Sequence, residues 1–167
     1  MPLIDLTKPT LLIIDIVAWG TIHAATGYLV HTLPTTGLER DHWLFRARRF
    51  ERDGQLYERL AIKRWKDRLP EAGGFFPGGL SKRTLIGRRP EHLDRFAVET
   101  RRAELGHWLA TLGGPLFLLW NPPGIGAIMI VYAVAVNAPF IMIQRYNRLR
   151  IARLLLRSSA SPGDRTP

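Results

Sequence analysis

Glu104 and His107 stand three residues apart in "ETRRAELGHW" (99 to 108), where a strongly charged segment runs into the uncharged "LATLGGPLFLLW" (109 to 120). Histidine can take and return a proton near neutral pH because its unperturbed pKa is about 6.5. A carboxylate one helical turn away can fix the ring's tautomer and stabilise the imidazolium, so the pair has the parts of a general base and its orienting acid. On a helix, Thr100, Glu104, His107 and Thr111 share one face. Asn137, Ile141, Gln144 and Arg148 repeat that spacing, so two helices can turn polar faces toward each other. The plainer reading is that Glu104 and His107 pair with Arg102, Gln144 or a lipid headgroup and hold the helices in register.

Other chemistries are narrowed by what is missing. Glu-x-x-His is the spacing of di-iron helical bundles, but those need two such motifs and further glutamates, and this chain has one copy, so no metal is expected. There is no cysteine, hence no disulfide, thiolate metal site or cysteine nucleophile. No Walker motif, dinucleotide fingerprint, nucleophile elbow or His-x-x-x-x-Asp acyltransferase signature is present, and "GIG" (124 to 126) is too short to count.

Two basic clusters complete the candidates. "KRWKDRLP" (63 to 70) carries Lys63, Arg64, Trp65 and Lys66, which can grip a phosphate-bearing donor or anchor the chain at a membrane interface. "QRYNRLR" (144 to 150) brings Arg145, Asn147 and Arg148, suited to an anionic donor and equally to a cytoplasmic stop signal. Asp15 and His23, inside an apolar run, can extend a proton path, though interhelical hydrogen bonding is the simpler role.

The elements that must position these residues follow from where apolar residues gather. The chain has 167 residues, enough for a single domain. Its 24 Lys and Arg against 14 Asp and Glu give a net charge of +10, suited to nucleic acid or to an anionic membrane face. Apolar residues concentrate in 11 to 31, 105 to 120 and 125 to 143, each near the roughly 20 residues that a spanning helix needs. The second is short and broken by Gly113, Gly114 and Pro115, so it is a candidate for a re-entrant or tilted segment. The first lacks a signal peptide's basic start and cleavage site and reads as an uncleaved helix.

The fold expected is therefore an all-α membrane protein with about three transmembrane helices. An N-terminal helix (11 to 31) and a C-terminal helical hairpin (104 to 121 and 124 to 148) flank amphipathic interfacial helices, all in one integral-membrane domain. Seventeen of the basic residues fall between His31 and Glu104, and Arg145, Arg148, Arg150, Arg153 and Arg157 follow the last run. By the positive-inside rule the 32 to 103 segment and the C-terminus are cytoplasmic in a multi-pass cell-membrane protein, and "NPPG" (121 to 124) turns the hairpin at the far face. In the central segment, Trp43, Phe45, Phe50, Tyr57, Leu60, Ile62 and Trp65 are spaced for helices broken at Asp53 and Gly54. A Gly- and Pro-rich stretch (73 to 90) reads as an ordered loop carrying Phe75 and Phe76, and 158 to 167 as a disordered tail. Nucleic acid is not an expected partner, because the basic residues flank bilayer segments.

Three blocks, "FERDGQLYERLAIKRWKDRLP" (50 to 70), "ETRRAELGHW" (99 to 108) and "NAPFIMIQRYNRLR" (137 to 150), in this order and at these intervals, resemble the glycosyl-4,4'-diaponeurosporenoate acyltransferase family of staphyloxanthin-type carotenoid synthesis. The resemblance spans about 43 to 151. Leu149 stands where the family pattern often has proline. The resemblance implies transfer of a fatty acyl group onto a sugar hydroxyl of a lipid-linked glycoside, from an activated donor of the thioester kind and without a bound cofactor. On the polar-face reading of the helices, and not from the resemblance, His107 would deprotonate the hydroxyl, Glu104 orient His107, and Arg102, Gln144 or Arg145 stabilise the oxyanion or the donor phosphate. The rival readings are a non-catalytic lipid-binding or scaffolding membrane protein, and a transferase moving a methyl or phospho group.

Overall fold

The computed structural model describes residues 7–40, 42–69 and 90–159, with side chains in the last stretch from 93 to 156. The loop expected over 73 to 90 with Phe75 and Phe76, and the tail expected over 158 to 167, lie outside the described residues apart from the helix ends at Pro90 and Ser159. All regular structure among the described residues is helical: α1 (Lys8–Thr32), α2 (Gln55–Arg59), α3 (Ile62–Trp65), α4 (Pro90–Leu112) and α5 (Pro123–Ser159). Short 3-10 segments cover Thr35–Gly37, Arg49–Gly54, Lys66–Arg68 and Gly114–Leu119.

Prolines and glycines set the boundaries. α1 stops at Thr32 because Leu33 precedes Pro34 and is pushed to an extended conformation, φ −65° and ψ 136°. α4 and α5 both begin on a proline, whose missing N–H costs nothing in the first turn. α4 ends at Gly113, whose N–H reaches back to the Leu109 and Ala110 carbonyls, and Pro115 lets the chain continue only as the 3-10 segment. Pro139 lies inside α5 and removes the donor that the Ala135 carbonyl would otherwise receive.

α1 and the Pro123–Leu156 part of α5 are long and apolar enough to cross a membrane. The apolar run over 105 to 120, expected as a further span, is divided between the end of α4 and the 3-10 segment. α4 itself starts far upstream, inside the charged segment.

The chain forms two compact units. In the first, described residues 7–33 and 103–141, Trp19 stacks on Phe117 at 4.6 Å between ring centroids, and both pack with Ala133, Ile22, Trp120 and Met129. Gly114 permits this approach: a Cβ there would lie 2.9 Å from the Ala133 Cβ.

The second unit comprises, among the described residues, 34–40, 42–69, 90–102 and 142–159, and its core is Tyr57, Ile62, Ile143 and Tyr146 with Trp65, Leu69, Met142 and Leu149 around them. The central helices are shorter than the apolar spacing suggested. Arg52, Asp53 and Gly54 have φ of 46°, 54° and 94°, and Ala61 has 54°, so left-handed residues cut the segment on both sides of α2. The Trp65 indole N–H donates to the Leu60 carbonyl at the second break, at 3.0 Å.

Candidate active site

Within the first unit, α4 carries Glu104, His107, Trp108 and Thr111, and α5 carries Asn137 and Phe140. His107 Nδ1 lies 2.9 Å from Asn137 Oδ1, and Asn137 Nδ2 donates to the Ala133 carbonyl, also at 2.9 Å. A carbonyl only accepts, so the nitrogen end of the amide faces Ala133 and its oxygen faces His107. The hydrogen of a neutral imidazole must therefore sit on Nδ1, which leaves the lone pair on Nε2. Asn137 is fully buried and cannot relax away. The Phe140 ring stacks on His107 at 4.7 Å and 10°, and Thr111 Oγ1 donates to the His107 carbonyl at 2.8 Å. The result is an oriented imidazole with a defined basic nitrogen.

Glu104 is wholly buried one turn away, and its Oε1 accepts from the Trp108 indole at 3.4 Å. The hydrogen bond that sets the His107 ring comes from the Asn137 amide, where sequence spacing pointed to the Glu104 carboxylate. Asn137, on the polar face of α5, makes its side-chain contact with His107.

Elsewhere in this unit, Asp15 Oδ1 accepts from both the Trp120 indole and the Asn121 amide at 2.8 Å. These bonds pin α1 to the turn before α5, which is the interhelical role. His23 lies 5.7 Å from the Trp19 ring. Among the described residues no three His, Asp or Glu converge as a metal site.

The remaining candidates belong to the second unit, where several serve the protein itself. Arg145 binds Glu51 bidentately, Nε to Oε1 at 2.7 Å and Nη2 to Oε2 at 2.9 Å, and also donates to the Leu44 and Arg46 carbonyls. Arg148 Nη2 donates to the Phe45 carbonyl at 2.9 Å while its guanidinium covers the Phe45 ring. Both arginines thus hold the 44–51 segment onto α5. Burial pushes the Glu51 carboxyl up, but hydrogen bonds from Arg145, the Tyr57 hydroxyl and the Arg48 N–H outweigh it and hold the group below the usual carboxylate range. Burial and the Glu51 carboxylate push the Tyr57 hydroxyl well above its ordinary value.

Glu51 was not singled out from the sequence. Its only signal is its place three residues after Arg48, from which a carboxylate can reach back to an N–H at a helix start. Of the other expected residues, Arg102 pairs with Glu99 at 3.4 Å on the same helix, and Lys66 pairs with Asp67 at 2.6 Å. Asn147 is buried, while Gln144 and Trp65 are half-buried.

Comparison with known proteins gives this geometry its setting. The sequence pattern of the glycosyl-4,4'-diaponeurosporenoate acyltransferase family matches residues 41–157. A protein of that name from Staphylococcus haemolyticus is 32% identical over 134 residues, covering 80% of this chain and 78% of the relative. One from Staphylococcus aureus is 28% identical over 138 residues, covering 82% and 83%. No solved structure matches. The matched region contains α4 with His107 and nearly all of α5 with Asn137. The chain belongs to the glycosyl-4,4'-diaponeurosporenoate acyltransferase family and is an acyltransferase.

Proposed function

We propose that this acyltransferase works at the cell membrane and moves a fatty acyl group from a thioester donor onto a sugar hydroxyl of a lipid-linked glycoside, such as a glycosylated carotenoid. The acceptor class comes from the names of the relatives. The observation that carries the chemistry is the His107–Asn137 hydrogen bond, because it leaves Nε2 as the basic nitrogen.

In this reading the acceptor hydroxyl gives its proton to His107 Nε2 as its oxygen attacks the thioester carbonyl. The Nδ1–H stays on Asn137 Oδ1, which steadies the imidazolium. Collapse of the tetrahedral intermediate breaks the C–S bond, and the proton passes from Nε2 to the leaving thiolate. Glu104 lies buried one turn away on the same face of α4, where its Oε1 accepts from the Trp108 indole. The oxyanion role expected of Arg145 is set aside, because its guanidinium is drawn to Glu51.

A membrane setting is supported by what the apolar helices leave uncovered. Leu12, Ile13, Ile16 and Val17 on α1, and Ile128, Val131 and Val134 on α5, are half or more exposed, whereas a core helix of a soluble protein would bury them. The 105–120 run would then enter the bilayer as a third, irregular segment whose backbone is shielded by α1 and α5. The basic residues of the central segment and the C-terminus support a cytoplasmic side for both.

The test is lipid extraction and mass spectrometry from cells supplied with a glycosylated carotenoid and expressing wild type or His107→Ala. A product heavier by one acyl group in wild type only is expected. Equal product from the variant would remove His107 as the base, and no product from either would remove the acceptor class.

A further inference from the structure

The second unit contains a cavity of about 370 Å³ that the acyl-transfer chemistry does not use. It is lined by Glu58, Lys63, Tyr146, Arg150, Arg153 and Leu154, so three cations face one carboxylate. They come from separate elements: Glu58 from α2, Lys63 from α3 and the rest from α5. Glu58 is already engaged, accepting from Lys63 at 3.1 Å and from the Tyr146 hydroxyl at 3.5 Å. The excess positive charge therefore rests on Arg150 and Arg153. The Arg153 Nε–H is buried and has no acceptor among the described residues. A buried guanidinium N–H without an acceptor is costly, and arginine's planar fork matches phosphate oxygens two at a time. Gly54 stands against this arginine in a left-handed conformation, φ 94°, and a Cβ there would come within 3.2 Å of Arg153 Nη2, so the glycine leaves the guanidinium its place.

We propose that this cavity seats a phosphate group, with Arg150 and Arg153 as its principal ligands. The phosphate belongs to a nucleotide-bearing thioester donor or to an anionic lipid headgroup. The donor alternative rests on the acyl-transfer reading, whereas phosphate binding does not.

The test uses the full-length protein in detergent, titrated with coenzyme A and with pantetheine, which lacks the nucleotide phosphates. Co-sedimentation with vesicles of equal parts phosphatidylcholine and phosphatidylglycerol forms the second arm. Wild type, Arg150→Gln, Arg153→Gln and Glu58→Gln are compared. Each arginine variant should bind about ten-fold more weakly, the worth of one charge-assisted hydrogen bond. Glu58→Gln, which removes the competing carboxylate, should bind more tightly, a gain that misfolding does not produce.

This pattern with coenzyme A but not pantetheine identifies a donor phosphate, the pattern with vesicles alone identifies a headgroup, and the pattern in both identifies a shared site. Binding indifferent to all three substitutions overturns the proposal, as does loss in the arginine variants without gain in Glu58→Gln. Cavity-dependent binding by a wild type that transfers no acyl group would sink the acyl-transfer reading alone. Acyl transfer with cavity-indifferent binding would sink this proposal alone.

Discussion

Asn137 holds His107 by its oxygen while its own nitrogen is tied to the Ala133 carbonyl one turn back on α5. That double tie determines which ring nitrogen is basic, because a flipped amide would set nitrogen against Nδ1 and oxygen against a carbonyl oxygen.

Asn137→Ala should therefore slow acyl transfer with little change in KM for the acceptor. A net hydrogen bond of about 1 kcal/mol corresponds to roughly a five- to ten-fold lower kcat, far milder than removal of a general base at about a hundred-fold or more. A rise in KM with kcat intact would show that Asn137 binds substrate instead of orienting His107.

Arg145→Met and Glu51→Gln should each destabilise the second unit, since each leaves a buried charge or donor without its partner. The expected cost is on the order of 3–5 kcal/mol, enough to lower the apparent melting temperature in detergent by several degrees. Combining Arg145→Met with Glu51→Gln should cost less than the sum of the single changes, because no uncompensated charge remains. Additive losses would show that the two side chains act independently.

Stability should fall in acid through the same pair. The folded state holds Glu51 below its ordinary carboxylate value of 4.5, so it binds fewer protons than the unfolded chain. The contribution is complete above that ordinary value and is lost as pH drops through the lower folded value. The melting temperature of wild type followed from neutral pH into acid should decline more steeply than that of Glu51→Gln. Parallel curves would remove Glu51 from the acid transition.

Gly114→Ala puts a methyl group 2.9 Å from the Ala133 Cβ and should cost roughly 1–3 kcal/mol through overpacking. Ala133→Gly removes the opposing methyl and should restore part of the loss in the double variant. Proteolysis rates or melting temperatures of the four combinations would show the coupling, and its absence would mean that the helix and the 3-10 segment move apart freely.

Much of this protein is determined by short-range features of its sequence. The apolar runs set α1 and α5, Pro34 and Pro123 mark an end and a start, and the chain breaks at Asp53 and Gly54 as the turn residues imply. The 3.6-residue period places His107 and Asn137 on polar faces, so that the two residues of the site were visible as candidates. Their partnership was not, since periodicity names a face but not the atom that will arrive opposite it. The His107–Asn137 bond joins residues 30 apart and the Arg145–Glu51 pair residues 94 apart, and both depend on how separate elements approach. The meeting of α4 and α5 at these two side chains decided that an amide and not the neighbouring carboxylate orients the histidine. Burial decided the fate of the arginines: a guanidinium drawn inside the second unit must satisfy its donors, and Glu51 with the carbonyls of residues 44 to 46 was there to do so.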